Sequence, residues 1–406
     1  MTISSSAARR RVPCRADAMI YFDHNATTPL LAEARQAWLE ATEQYVGNPS
    51  SPHRLGARAE AALQDARARL AGFLGCDPQD LVWTSGATEA NNMVLHHLAR
   101  TAPAGGEVWV SAIEHPCVLQ AAEFYFPGRC PCLPATRAGR VNLNSLAERL
   151  ERHRPAAVAV MAANNETGVL QPWREVLALC RQHEVRFCCD AAQWLGKLPA
   201  RGLGACDFVS GCAHKFGGPR GVGFLKCPSG GVLTPLLRGG PQEEGRRAGT
   251  ENVAGVLAML AALEVRERQL ANAQHLPRTE WRRQFETQLL AQLGGSAIVG
   301  VSAERLWNTV SALMPEADCR QRWVVKLDRF GFAASTGSAC ASGKEQPSHV
   351  LRAMGYRRAD AGRVLRFSSG WETGQADWDA LLRGLLQVRE AMHPGRHPPR
   401  AARSSP

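Results

Sequence analysis

What this 406-residue sequence lacks narrows its class before any motif is considered. No apolar run approaches the roughly 20 residues needed to span a bilayer, so an integral membrane protein is not expected. There is no CxxC pair: the 13 cysteines offer only Cys130-Pro-Cys132 and the adjacent Cys188-Cys189. A structural zinc site is therefore not expected, and most of these thiols should be buried small hydrophobes. No apolar signal region precedes them, and so many thiols suit a reducing, cytoplasmic setting. Lysine is scarce, and the formal net charge of +11 comes from arginines that are scattered or gathered at the ends (Arg9, Arg10, Arg11; Arg396, Arg400, Arg403). That scatter makes no basic face, so a nucleic-acid partner is not expected.

What is present is ordinary for a folded chain: 45% hydrophobic and 21% charged residues exclude disorder and fibrous repeats. The length implies more than one core. Short apolar runs (LVWTS, EVWVSA, AAVAVMAA, VRFCCD, CDFVSG, GVGFLK) alternate with segments of helical period such as AEARQAWLEATEQY, HRLGARAEAALQDARARLAGFLG and SLAERLERH. The pattern implies βα units and a mainly parallel α/β sheet. Near residue 270 it changes to a long Arg- and Gln-rich helix, followed by the strand-like LWNTVSALM and RVLRFSS. The expected organisation is a disordered extension over 1–18, a joining segment over 19–30, a large unit over 31–270, a smaller α+β unit over 271–390, and a polar tail over 391–406. No internal repeat is visible.

Four short runs carry chemistry. Thr84-Ser85-Gly86-Ala87-Thr88-Glu89 follows a strand and opens a helix, which suits either a phosphate cup or an ordinary helix cap. Asp190 ends the run Cys188-Cys189-Asp190, either facing a ligand crevice at the strand end or closing a turn. Lys215, within Cys212-Ala213-His214-Lys215-Phe216-Gly217-Gly218, is hemmed in a way that favours a desolvated amine able to form a Schiff base. Together these three match the needs of pyridoxal phosphate: a covalent lysine, a partner for the pyridine nitrogen and a phosphate site. The fourth, Ser335 to Gly343, surrounds Cys340 with small polar residues, leaving the thiol as either a reactive nucleophile or a structural residue.

From Tyr21 to about residue 390 the chain also resembles the cysteine desulfurases of the class V aminotransferase group. The resemblance rests on YFDHNATTP, GNPSSPHRLG, TSGATEANN, EHPCV, NNETG, DAAQ, AHKFGGPRG, RRAGTEN and TGSACAS in that order. It implies the fold-type-I architecture of pyridoxal-phosphate enzymes, a large domain with a seven-stranded sheet and a smaller domain carrying the Cys340 loop. It implies that Lys215 holds the cofactor, Asp190 pairs with the pyridine nitrogen, and His115 stacks on the ring and assists proton transfer. Asn165 and Gln193 would bond the ring substituents. Phosphate contacts would come from Ala87, Thr88, Cys212 and His214, and from Thr250 of a second subunit, hence a homodimer. Arg366 would clamp the substrate carboxylate, with Asn48 beside it.

By the same resemblance Cys340 would take sulfur from L-cysteine as a persulfide, releasing L-alanine, and pass it to an acceptor protein, either an iron–sulfur scaffold or a carrier for tRNA thiolation. No resident metal is implied beyond a transient iron–sulfur contact at Cys340. The alternative is another class V enzyme, an aminotransferase, selenocysteine lyase or β-lyase, in which Cys340 is dispensable. Two departures stand out: Cys212 where relatives usually carry a hydroxyl residue, and Trp371 where they commonly carry arginine.

Overall fold

The computed structural model describes residues 19–230, 232–316, 320–336 and 348–392. Cys340 and both expected tails lie outside these residues, except that Ala391 and Met392 end the helix Gln375–Met392 rather than opening a tail. The strand β1 (Ile20–Tyr21) leads in and pairs with a much later strand. Then follow β2 (Leu81–Thr84), β3 (Val108–Ser111), β4 (Cys132–Leu133), β5 (Ala157–Ala159), β6 (Arg186–Asp190), β7 (Phe208–Cys212) and β8 (Gly223–Lys226). These seven form one sheet in the order β2-β8-β7-β6-β5-β3-β4. It is parallel except for β8, which runs antiparallel to both its neighbours.

Alternation along the strands builds a core on each face, because successive side chains point to opposite sides. Leu81, Trp83, Trp109, Val158 and Phe224 pack on one side with α2 (Arg54–Leu74) and the helix Val253–Ala271, α1 (Ala32–Gln44) lying against the latter. Val82, Val108, Val110, Ala157 and Leu225 pack on the other with α3 (Ala87–Thr101) and α4 (Pro116–Tyr125). α2 stops where Gly75 turns left-handed at φ 78°, a conformation that glycine adopts without side-chain strain.

A separate antiparallel sheet joins β9 (Ala297–Ile298), β10 (Thr309–Leu313) and β12 (Val364–Ser368), while β11 (Phe332–Ala333) pairs with β1. Their core gathers Phe22, Phe285, Trp323, Phe367 and Trp378. Phe22 thereby ties the first described segment to the last third of the chain.

Two expectations change. The run AAVAVMAA forms a paired strand only over Ala157–Ala159, because β3 stops pairing there. Beyond it Val160 and Ala162 still donate to the carbonyls of Cys188 and Asp190. The helix expected from Ser145 starts at Leu143, since Asn142 accepts the Ser145 N–H and caps it two residues earlier.

Candidate active site

Because β2, β6 and β7 are parallel, their carboxyl ends open on one side of the sheet, where ligands of such sheets bind. A cavity of about 850 Å³ lies there. It is lined by Ala87, Thr88, His115, Asn165, Asp190 and Gln193, and by Cys212, His214, Lys215 and Arg366. Ten of the residues singled out in the sequence are thus brought to one place. Asn48 and Thr250 are not: both are exposed and neither lines the cavity of this chain. Asn48 sits between α1 and α2 and accepts the Ser50 N–H, stabilising its own turn.

Each wall residue is held by local structure. Gly86 precedes α3 without any side-chain cap, so the first amides of that helix lie at the cavity together with Ser85 and Thr88. Asp190, at the end of β6, accepts from the Ala192 N–H at 2.9 Å and from Asn91 Nδ2 at 2.9 Å. His115 caps α4, its Nδ1 accepting the Cys117 N–H, so the neutral ring carries its proton on Nε2. Burial lowers the His115 pKa, with Lys215 and His349 acting in the same direction and Asp190 opposing.

The turn Ala213–Lys215 after β7 presents Lys215, whose Nζ donates to the carbonyls of Asn25 (2.6 Å) and Ala26 (2.9 Å). Burial takes His214 down to about 4, aided by Lys215 and Arg220. It raises the Cys212 thiol to about 11, which keeps that group protonated. On the far wall, Arg366 is almost fully buried; Nη2 donates to Asp23 Oδ1 (2.6 Å), Nη1 to the Asn165 carbonyl (3.0 Å), and Nε has no partner.

Asn25 was not singled out in the sequence, yet it is the junction of the site. Its carbonyl accepts from Lys215 and Gln193 Nε2, its Nδ2 donates to the Asn165 carbonyl and Thr309 Oγ1, and its N–H donates to Ser368 Oγ. Its position inside YFDHNATTP was the available signal. Ser348, His349 and Arg352 also line the cavity unannounced. Ser335 exchanges backbone hydrogen bonds with Arg366, a cavity residue, while Ser348 and His349 on the other side of 337–347 line the cavity themselves. Among the described residues no cluster of His, Cys, Asp or Glu could hold a metal, and no helix is long and apolar enough to cross a membrane.

This architecture, an α/β sheet with lysine, carboxylate and an uncapped helix start converging at its strand ends, defines a class of enzyme that comparison makes explicit. The family model for Aminotransferase class-V matches residues 20–381, and the chain belongs to that family. It is 38% identical over 382 residues to a cysteine desulfurase of Rhodobacter capsulatus, covering 92% of this chain and 97% of that one. With a cysteine desulfurase of Klebsiella pneumoniae it shares 36% identity over 373 residues, 91% and 92% of the two chains. The solved structure of a NifS-like protein from Rickettsia africae superposes with a TM-score of 0.82 at 27% identity, covering 92% of this chain and 99% of that one. Within its family the chain stands among the cysteine desulfurases.

Proposed function

We propose that the protein uses pyridoxal phosphate to remove sulfur from L-cysteine, leaving L-alanine and a persulfide on Cys340. The observation that carries this reading is the convergence of Lys215, Asp190, His115, the uncapped start of α3 and Arg366 on one cavity. The residues fit the cofactor. The first-turn amides of α3, which no side chain of Gly86 caps, suit a phosphate dianion together with Thr88, and Asp190, 8% exposed and held by neutral donors, suits a pyridine nitrogen that carries a proton. Lys215 would hold it covalently; Asn165, Gln193, Cys212 and His214 would complete the cradle, and Thr250 would reach in from a second copy of the chain. When bound, the cofactor supplies an electron sink that makes the Cα–H of an amino acid acidic.

The chain's own residues do the rest. Arg366 takes the substrate carboxylate with its forked donors, Asp23 holding the fork in place. The Lys215 amine moves the Cα proton. His115 stays uncharged at neutral pH because of its burial and serves as a neutral proton carrier. The Cys340 thiolate attacks the substrate sulfur; the Cβ–S bond breaks, sulfur remains as Cys340–S–SH, and the three-carbon remainder is protonated and leaves as alanine. Cysteine plus thiol gives alanine plus persulfide, so no further oxidant or reductant is needed. Ser348 and His349, just after 337–347, line the cavity, and Ser335 before it pairs with the cavity residue Arg366, which supports this role for Cys340. The division into a cofactor-binding part over 31–270 and a smaller part over 271–390, a cytoplasmic homodimer, and an acceptor protein that collects the sulfur belong to the same proposal.

The test is to incubate the purified protein with L-cysteine and reductant and measure sulfide and alanine for wild type and Cys340→Ala, following the cofactor's visible absorbance. Both should be yellow, and only the wild type should release sulfide with matching alanine. Equal turnover by Cys340→Ala would remove Cys340 from the mechanism and leave a lyase or aminotransferase.

A further inference from the structure

Lys197 has no part in the chemistry above, yet it is only 3% exposed. The chain's other buried lysine among the described residues, Lys226, has Asp80 at 3.9 Å. Lys197 instead spends its donors on Gln193: Nζ to Oε1 at 2.5 Å and to the Gln193 carbonyl at 3.4 Å. The Asn25 carbonyl can only accept, so the Nε2 end of the Gln193 amide must face it, and the oxygen end then faces Lys197 Nζ, which donates. Nε2 then donates to the Asn25 carbonyl at 2.9 Å, the same oxygen that accepts Lys215 Nζ at 2.6 Å. A continuous path therefore runs from Lys197 through Gln193 to the seat of Lys215.

Lys197 is itself tightly placed. The indole N–H of Trp307 donates to its carbonyl at 2.9 Å, that of Trp371 donates to the Gly196 carbonyl at 2.9 Å, and the two indoles pack edge to face 4.7 Å apart. Gly196 turns at φ +70°, and a Cβ there would lie 2.3 Å from the Phe216 Cβ, so glycine is required. Burial lowers the Lys197 pKa well below its ordinary value, Lys215 and Arg366 acting in the same direction and Cys212 opposing; His24 and Arg266 line the small cavity beside it.

We propose that Lys197 is a positioning residue of the active site, locking the Gln193 amide so that it shares the Asn25 carbonyl with Lys215 and faces the cofactor as a donor. This rests on the pyridoxal-phosphate reading. Without the lock the Asn25 carbonyl is left more fully to a Lys215 ammonium, and a cation-capable neighbour is lost; both favour protonation at the Lys215 nitrogen.

The experiment prepares apoprotein of wild type, Lys197→Met, Gln193→Met and the double variant. Each is titrated with pyridoxal phosphate by quenching of tryptophan fluorescence, and the pH midpoint of the bound cofactor's visible absorbance is recorded. Lys197→Met should lower cofactor affinity about five-fold, the effect of one hydrogen bond, and move the midpoint upward. The double variant should bind the cofactor no more weakly than Gln193→Met alone, since for affinity one residue acts through the other. Additive losses, or a folded Lys197→Met with lower melting temperature but unchanged affinity and midpoint, overturn the proposal. If Lys197→Met does not fold, Trp307→Phe, which removes the indole N–H from the Lys197 carbonyl, should give a smaller upward shift, and no shift overturns it. Failure of wild-type apoprotein to take up pyridoxal phosphate overturns the cofactor reading itself, a result separate from any difference among variants.

Discussion

The two walls of the cavity are assembled by different means. On the sheet side, Thr88, Asp190, Cys212 and Lys215 follow β2 or end or follow β6 and β7, so each is placed by the strand that precedes it. On the opposite side Arg366 lies inside β12, tied to Asp23 and to Asn165, while Ser348 donates to Glu166 Oε2 and His349 Nε2 meets the Glu114 carbonyl. The sheet wall is a set of short motifs on a finished scaffold; the far wall exists only through ties across the chain. Substitutions on the first should cost chemistry, and on the second both chemistry and stability.

Lys215→Ala gives the largest effect. Activity should fall by at least about 10³-fold, in the range for a lost proton-transferring group, while the melting temperature of the apoprotein should fall less than for Arg366→Ala, because Lys215 gives up hydrogen bonds to two carbonyls but no buried ion pair. A comparable loss of melting temperature would erase the distinction between the walls. Arg366→Ala should raise KM for cysteine and also destabilise the fold by about 2–4 kcal/mol, because Asp23 loses its partner; denaturation midpoints alongside kinetics check both. Arg366→Lys should rescue neither fully, since an ammonium cannot fork between Asp23 and a carboxylate.

The pH dependence of stability bears on the sheet wall and on the small cavity beside Lys197, where His24 lies. Burial holds His24 at about 4, as it does His214 on the sheet wall. Both lie below the roughly 6.5 of an unfolded chain, so the unfolded state binds more protons across that window. Their stabilisation is therefore complete above about pH 6.5 and is lost as pH falls toward 4. The unfolding free energy from urea titrations should drop over that range by up to about 3 kcal/mol for the more buried His24, and His24→Gln should flatten the slope. The smallest effect belongs to Cys212→Ser: a hydroxyl is the better donor to phosphate, so cofactor should be lost about two- to three-fold more slowly on dialysis. Equal loss from both proteins would show that the thiol is no handicap.

The legibility of the sequence follows the same divide. The strands from Leu81, Val108, Arg186, Phe208 and Gly223 were readable because their apolar runs end in turns. The sheet-wall residues were readable because each lies at or just beyond such an end. β4 was not, since a two-residue strand has no period to detect. Lys197 was unreadable for another reason. Within QWLGKLPA it looks like a solvated turn lysine, and what buries it, Trp307 and Trp371, comes 110 or more residues later. The same holds for Trp371, visible only as a departure where arginine was expected. The structure gives it a role holding the Gly196 carbonyl.

Asn25 sets a timetable for the nascent enzyme. Its N–H partner, Ser368, is 343 residues further on, so at about 5–20 residues per second the ribosome needs roughly 20–70 s to supply it. For roughly the second half of that interval the strands that carry Asp190 and Lys215 have already been made, but the carbonyl that seats the lysine is not yet fixed. The reactive amine is brought into register only when synthesis is nearly over, so a chain abandoned midway carries the parts of the site without a working one.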